Sequence, residues 1–233
     1  MNRAQIDLAI INPNSRRRVY QSLGTSLAAV EPPVWAGLMA SFVRRRGYRV
    51  AIVDAEAEQL TAEEAIDRAR DLGPRLIAVA VYGHQPSAST QIMPAVRDVC
   101  LAAKASLSEV PLLLLGGHVA ALPERTLREE EADFVAGGEG LQTLIDLLEA
   151  LDTAAVDFSN VHDLYRLEDG EVVRGPAAPL VQDLDEQIPG IAWDLLPMER
   201  YRAHNWHCLG EATRQPYAAI YTTLGCPYKC SFC

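Results

Sequence analysis

Short apolar runs alternate with segments of helical spacing along the first part of the chain. Five apolar runs predict buried strands, at residues 6–12, 48–55, 76–83, 110–117 and 132–140. Segments with helical periodicity lie between and after them, at residues 34–47, 61–73, 87–107, 120–131 and 141–151. Because the strands are apolar throughout and alternate with helices, they predict a parallel sheet that is covered by helices on both faces.

Five strand–helix units predict a flavodoxin-like, doubly wound α/β domain with a five-stranded parallel sheet over residues 1–152. In such a sheet the ligand lies outside the carboxyl ends of the strands, where the strand order switches. The unusual residues fall at these ends, at 12–14, 82–85, 116–118 and 137–140. Turns that cap helices also use Gly and Asn, so one such loop is weak evidence for a ligand site. Four together predict a ligand that spans several strands.

The pattern changes after residue 151. Residues 164–175 alternate around an Asp-Gly pair and predict a β-hairpin. The proline-rich stretch 176–200 predicts a linker that crosses a surface, and the apolar run 217–225 predicts the first strand of a second domain. The chain therefore divides into a first domain, a hairpin with linker, and the start of another domain, at residues 1–152, 153–215 and 216–233.

Composition and charge narrow the class of protein. With 49% hydrophobic and 22% charged residues, a packed core is expected and disorder is not. The formal net charge of −10 argues against nucleic-acid and anionic-membrane partners. No signal-peptide pattern opens the chain, and no run reaches the ~20 apolar residues that a membrane span needs. The five cysteines do not fit a disulfide framework, so we expect a cytoplasmic protein.

Three cysteines lie close together directly after the predicted strand at 217–225. Cys226, Cys230 and Cys233 have C-x3-C-x2-C spacing. Structural zinc sites normally close four ligands, usually from paired C-x2-C knuckles. A cubane iron–sulfur cluster has four iron corners, so three cysteines leave one corner open for a substrate or cofactor. The spacing favours a 4Fe–4S cluster over zinc, with Cys208 as an alternative fourth ligand.

This cysteine loop resembles the signature of radical S-adenosylmethionine enzymes, in which an aromatic residue, here Phe232, precedes the last cysteine. The resemblance implies that the open iron binds the amino and carboxylate groups of S-adenosylmethionine and that Phe232 lies against the adenine. It also implies an electron donor such as flavodoxin or ferredoxin. One electron from the reduced cluster would cleave S-adenosylmethionine to methionine and a 5′-deoxyadenosyl radical.

A doubly wound domain ahead of such a loop resembles the cobalamin-binding radical-SAM family over nearly the whole chain. The landmarks are NPN, PPVWAGLMASFVRRRGYRVAIVDA, LLLLGGHVAALPE, ADFVAGGEG, LYRLEDGEVV and LDEQIPGIAWDLLPMERY. The resemblance implies that cobalamin lies across the strand ends, with its nucleotide tail along glycines that admit close backbone approach. The implied contacts are Asn12, Pro13, Asn14, Tyr82, Gly83, His84, Gln85, Ser87, Gly116, Gly117, His118, Gly138, Glu139 and Gly140.

The sequence departs from other cobalamin proteins at the cobalt ligand. The D-x-H-x-x-G motif is absent, and the loop 13–33 has no histidine. The resemblance therefore implies base-off cobalamin, with His118 packing near the cofactor and His84 as an alternative ligand of the lower cobalt face. A His-x-x-His-Cys pattern also occurs near the end of the chain, and we expect its side chains to pack between domains, with a metal site as the alternative: His204, His207 and Cys208.

The resemblance implies a cobalamin-dependent radical-SAM enzyme, most often a methyltransferase acting on an unactivated centre of a small-molecule or natural-product substrate. One alternative is a cobalamin-independent enzyme like the methylthiotransferases, which usually carry extra cluster cysteines in the front domain, where this chain has only Cys100. The other is a cobalamin-binding module without catalysis. We interpret the end at Cys233 as a truncation and expect this piece alone to be inactive.

Overall fold

The computed structural model describes residues 6–24, 28–83, 88–204, 214–225 and 228 of the chain. The strands of its sheet are Ile6–Asn12 (β1), Val50–Asp54 (β2), Pro74–Val81 (β3), Leu112–Gly116 (β4), Phe134–Ala136 (β5), Leu164–Glu168 (β6) and Glu171–Arg174 (β7). The helices are Arg16–Tyr20 (α1), Val34–Arg45 (α2), Ala55–Glu58 (α3), Ala62–Leu72 (α4), Ser89–Ser106 (α5), Gly117–Ala121 (α6), Pro123–Glu129 (α7), Leu141–Leu151 (α8) and Leu184–Gln187 (α9). Short 3-10 turns cover Gln21–Gly24, Trp193–Leu195 and Met198–Arg200.

The strand order is β2-β1-β3-β4-β5-β6-β7, and the first five strands are parallel. The predicted flavodoxin-like, doubly wound arrangement is confirmed. The chain runs from β1 outward to β2 and then back across to β3, so the order switches between β1 and β3. That switch opens a crevice at the carboxyl ends of the two strands.

Alternate residues of the central strands face opposite helical layers. Leu8 and Ile10 of β1 pack in the cluster that contains α2 and α8. Ala9 and Ile11 pack in the cluster that contains α4 and α5. All four side chains are fully buried, since side chains on a strand alternate between its two faces and both faces are covered. This explains why the strands are apolar throughout.

The predicted hairpin belongs to the same sheet. Strand β6 pairs antiparallel with β5, and β7 pairs with β6. The turn residues Asp169 and Gly170 have φ values of 50° and 84°, and a type I′ turn requires positive φ at both central positions. The sheet therefore has seven described strands where we predicted five, because the hairpin covers the edge that the short β5 would otherwise expose.

Two predictions about the loops are wrong. The described residues 217–225 form no strand, and Ile220 and Tyr221 are 68% and 46% exposed. An apolar run forms a strand only where a neighbour completes its backbone hydrogen bonds, and no described strand pairs with this segment. Residues 13–33, which we treated as a loop from the sequence, contain α1 and a 3-10 turn. The division of the chain into three segments stays a prediction.

None of the helices in the described ranges combines the length and the apolar character that crossing a bilayer would require.

Candidate functional site at the carboxyl edge of the sheet

A cleft lies outside the carboxyl ends of β1, β3 and β4. Its large cavity has a volume of about 530 Å³, which is within the range of small-molecule sites. The residues lining the large cavity are Trp35, Tyr82, Gly83, Ser89, Gly116, Gly117, Ala120, Gly138, Glu139, Tyr221, Thr223, Leu224 and Gly225. A small cavity of about 120 Å³ adjoins it toward β1. The residues that line both cavities are Trp35, Tyr82, Gly83 and Tyr221.

Three aromatic rings form one wall of this cleft. Trp35, in the first turn of α2, stacks on Tyr82 with ring centroids 5.0 Å apart and ring planes inclined by 14°. Tyr221 meets Trp35 edge-on at 6.2 Å. Burial raises the pKa of Tyr82, and the negative charge of Glu139 adds to this effect. The Tyr82 phenol therefore stays neutral, and the wall is flat and mostly apolar.

Packing within the chain itself leaves little room for a Cβ at two glycines of the strand ends. Gly116 has a φ of 140°, and a Cβ there would lie 2.1 Å from the carbonyl oxygen of Val81 on β3. A Cβ on Gly138 would lie 2.9 Å from Asp163 Oδ2. The backbone of β3 thus requires glycine at position 116, whereas a Cβ at position 138 would require the Asp163 side chain to shift. Both glycines leave the backbone edge of the cleft without side chains.

Of the predicted contacts at the end of β1, two asparagines are engaged by the protein. Asn12 lines the small cavity, but its Nδ2 donates to Asp54 Oδ1 at 2.8 Å. Asn14 Nδ2 donates to the carbonyl oxygen of Leu60 at 3.1 Å and lines a different cavity beside α4. Pro13 lines the small cavity. The structure therefore brings Asn12 and Pro13 to the cleft and directs the Asn14 side chain away from it.

His118 and Gly140 lie beside the cleft. His118 Nδ1 is 2.9 Å from Thr90 Oγ1, and burial together with the charge of Arg125 lowers the pKa of this histidine. Neither cavity of the cleft has His118 among its lining residues. Gly140 lines a third cavity, of about 310 Å³, at the start of α8. Gly138 and Glu139 line both this third cavity and the large one.

Several predicted residues fall outside the described ranges: Cys226, Cys230, Cys233, Phe232, His84, Gln85, Ser87, His207 and Cys208. Gly225 is described, and it lines the large cavity with Thr223 and Leu224. The chain therefore reaches the cysteine motif from the cleft. Among the residues that the structure describes, no group of three or more His, Cys, Asp or Glu side chains is placed to hold a metal ion.

The cleft residues that sequence reasoning missed include Trp35, Tyr221, Glu31 and Glu56. Trp35 directly follows the Pro-Pro-Val step into α2, and an aromatic ring at that entry was the available signal. Glu56 accepts hydrogen bonds from the backbone nitrogen and the hydroxyl of Ser15, at 3.3 and 3.2 Å. Nothing in the local sequence around either glutamate indicated that it would face the cleft.

Comparison with known proteins places this architecture in a family. Residues 20–148 match the sequence model of the B12 binding domain. The chain belongs to the B12-binding domain family. The match runs from the last residue of α1 into α8 and therefore includes the ends of β3, β4 and β5 at the large cavity, but not the end of β1, which lines the small cavity.

Curated relatives of this B12-binding domain are longer enzymes. The chain is 30% identical to an uncharacterized methyltransferase of Pyrococcus horikoshii, over 97% of this chain and 44% of that protein. It is 28% identical to the anaerobic magnesium-protoporphyrin IX monomethyl ester cyclase of Cereibacter sphaeroides, over 97% and 34%. It is 31% identical to the hopanoid C-3 methylase of Methylococcus capsulatus, over 86% and 35%. The chain spans less than half the length of these relatives.

Solved structures share the fold of this B12-binding domain. One is the radical S-adenosylmethionine methyltransferase TsrM from Kitasatospora setae with cobalamin and a [4Fe-4S] cluster bound. Its TM-score is 0.59 at 17% identity, over 76% of this chain and 30% of that one. Another is the cobalamin-dependent S-adenosylmethionine radical enzyme OxsB with aqua-cobalamin and S-adenosylmethionine bound. Its TM-score is 0.61 at 16% identity, over 82% and 24%. At these identities the likeness shows the fold.

Proposed function

We propose that this chain is the cobalamin-binding part of a cobalamin-dependent radical-SAM enzyme that transfers a methyl group to an unactivated centre of a small molecule. One observation carries the proposal. The cavity bounded by the strand-end residues Gly116, Gly117 and Gly138 is also bounded by Gly225, the residue before Cys226. A ligand at the strand ends and a cluster on the cysteine motif would therefore be neighbours.

The residues of the cleft fit part of a corrinoid. The whole cofactor is larger than the large cavity, so only a portion would enter it. Trp35 and Tyr82 offer a flat apolar wall, and Gly116 offers backbone without a side chain. The Glu139 carboxylate lines the same cavity and can accept hydrogen bonds from the amide groups at the rim of cobalamin.

The sequence lacks the D-x-H-x-x-G motif, so the proposal includes a cobalt without a histidine from that motif. His118 Nδ1 is paired with Thr90 Oγ1 at 2.9 Å and lies outside the cleft. On the family resemblance, Cys226, Cys230 and Cys233 would hold the cluster and Phe232 would face the adenine. Bound cobalamin would supply a transferable methyl group, and the cluster with S-adenosylmethionine would supply a hydrogen-abstracting radical.

The alternative without cobalamin has less support. Methylthiotransferase-like enzymes usually need further cluster cysteines in the front domain. The sequence offers only Cys100 in that domain. Cys100 is fully buried on α5, and burial raises the pKa of its thiol to about 12. A thiol in that state is a poor metal ligand, because the thiolate is the ligating form.

A ring-forming reaction is the second candidate, and it rests on the relatives named as magnesium-protoporphyrin cyclases, at 26–28% identity. The relatives named as methylases and methyltransferases reach 23–31%. Both reactions use the same proposed cofactors. Incubating the full-length protein and its substrate with methyl-labelled S-adenosylmethionine distinguishes them, because only methyl transfer carries the label into the product.

Iron–sulfur reconstitution tests the radical-SAM half of the proposal. The full-length protein, incubated anaerobically with iron and sulfide and then desalted, should retain about four iron atoms per molecule. Cys230→Ala should lose most of this iron. Cys100→Ala, a control at a buried position of α5, should keep it. Equal iron retention by Cys230→Ala and the unchanged chain would contradict the assignment of the cysteine motif.

A further inference from the structure

The connector, residues 188–204, packs against the sheet domain. Tyr201 is fully buried in a small apolar cluster with Val30, Ala57 and Leu196. Arg202 and Val30 exchange two backbone hydrogen bonds, of 2.9 and 3.0 Å. The connector is thus fixed to the loop that leads into α2, which carries the cleft residue Trp35.

A buried carboxylate joins the connector to the wall of the cleft. Asp54, at the end of β2, is 1% exposed. Its Oδ2 accepts a 2.7 Å hydrogen bond from the Tyr201 hydroxyl. Its Oδ1 accepts from Asn12 Nδ2 at 2.8 Å and from the backbone nitrogen of Ala57 at 3.1 Å. Asp54 therefore holds a connector side chain and a cleft-lining side chain at the same time.

The connector also sets the start of the segment that crosses the cleft. The backbone nitrogen of Ala203 donates to the carbonyl oxygen of Arg214 at 2.8 Å, and Arg214 Nε donates back to Ala203 at 2.9 Å. Residues 217–225 follow, and Tyr221 and Gly225 of this segment line the large cavity. A displacement of Tyr201 would therefore shift Asn12 on one side and residues 217–225 on the other.

We propose that Tyr201 is a positioning residue for the ligand cleft. Through Asp54 it fixes Asn12, and through Ala203 and Arg214 it fixes the 217–225 segment over the large cavity. The ligand concerned is the corrinoid of the proposed function, on which this inference rests. Tyr201 lines neither the small nor the large cavity of the cleft, so its effect on the ligand is indirect.

The test compares Tyr201→Phe with Thr126→Val. Each replacement removes one buried hydroxyl and keeps the shape of the side chain; Thr126 lies on α7, where its hydroxyl donates to the carbonyl oxygen of Leu122 at 2.8 Å. Three quantities are measured for each: the melting temperature, the affinity for hydroxocobalamin, and hydrogen exchange of amides 214–225. Both variants should melt a few degrees lower. Only Tyr201→Phe should bind hydroxocobalamin about tenfold more weakly and exchange faster at 214–225.

A merely structural role for Tyr201 predicts equal behaviour of the two variants, and that result would overturn the proposal. If Tyr201→Phe does not fold, Arg214→Gln removes the Arg214 Nε donor to Ala203 together with the Arg214 Nη2 donor to the carbonyl oxygen of Ala28, and it should produce the same pair of changes. If the unchanged chain binds no hydroxocobalamin, the proposed function fails. Hydrogen exchange at 214–225 then still decides on the positioning role, because it needs no ligand.

Discussion

Gly116 shows at the scale of one residue how the cleft is built. Its φ of 140° and ψ of −179° lie in a region that is essentially restricted to glycine. A Cβ would also run into the backbone of β3, 2.1 Å from the Val81 carbonyl oxygen. The position is therefore constrained twice, by backbone conformation and by the contact between β4 and β3.

We predict that Gly116→Ala lowers the free energy of unfolding by about 3 kcal/mol or more, because strain and backbone overlap add. Gly170→Ala is the control. Gly170 also has a positive φ, of 84°, but no atom lies within 4 Å of a Cβ there, so the cost should be about 1 kcal/mol. Denaturant titration measures both. Equal losses would show that the contact with Val81 can be relieved by a small shift.

At the scale of elements, periodicity predicted most of the sheet and its helices, because strands covered on both faces are apolar throughout. Helix α8 was predicted at its observed bounds, Leu141–Leu151. The Asp-Gly turn was equally readable, since its two positive φ values demand such residues. The run at 217–225 was misinterpreted, because an apolar stretch that lies across a cleft has the same composition as a strand. Pairing partners decide between the two, and sequence does not reveal them.

The joint between β2 and the connector is the hydrogen bond from Tyr201 to Asp54, and the sequence could not reveal such a long-range contact. Asp54 and Tyr201 are 147 residues apart in the chain. Burial raises the pKa of Asp54 above its ordinary value of 3.8, although the hydrogen bonds from Tyr201, Asn12 and Ala57 oppose the shift. The folded chain therefore keeps this proton to a higher pH than the unfolded chain does.

The raised pKa of Asp54 predicts how the free energy of unfolding depends on pH. The contribution of Asp54 to stability is fully present below pH 3.8 and is lost as the pH rises through its raised folded pKa. The difference in unfolding free energy between the unchanged chain and Asp54→Asn should therefore fall as the pH rises above 3.8. Thermal or denaturant unfolding at several pH values measures it.

Asp194→Asn supplies a control of opposite sign. The hydrogen bond from Arg44 lowers the pKa of Asp194, so its contribution is present above pH 3.8 and is lost as the pH falls through the folded pKa. The difference in unfolding free energy between the unchanged chain and Asp194→Asn should therefore increase as the pH rises. Parallel curves for Asp54→Asn and the unchanged chain would contradict the raised pKa of Asp54.

At the scale of the whole molecule, the formal net charge is −10, and the cleft is acidic as well. Glu31 and Glu56 line the small cavity and Glu139 lines the large one. No Lys, Arg or His is found among the described residues that line these two cavities. A ligand that carries amides at its rim suits such a cleft better than one that carries carboxylates, because like charges repel.

We predict that the chain binds cobinamide, whose rim carries amides, at least about tenfold more tightly than cobyrinic acid, whose rim carries carboxylates. The preference should shrink at high salt and in Glu139→Gln. Competition against bound hydroxocobalamin measures it, and neither probe has a nucleotide phosphate to confuse the comparison. Equal affinity for the two corrinoids would contradict a role of cleft charge in selection.

The fold class and the edge of the sheet that carries the cleft were predictable from the sequence, because both follow from the alternation of strands and helices. The inner surface of the cleft was not. Trp35 stacks on Tyr82 only because α2 returns across the end of β3, and Asn14 turns toward Leu60 only because α3 lies beside it. Such contacts join distant segments, and local sequence carries no record of them.

The most direct test of the account is corrinoid retention by the purified chain. The protein is mixed with hydroxocobalamin under reducing, anaerobic conditions, desalted, and its visible spectrum is recorded. The account predicts about one corrinoid per chain with a base-off spectrum. A folded chain that emerges without corrinoid would contradict it, and the glycines at the strand ends would then serve only the packing of the sheet.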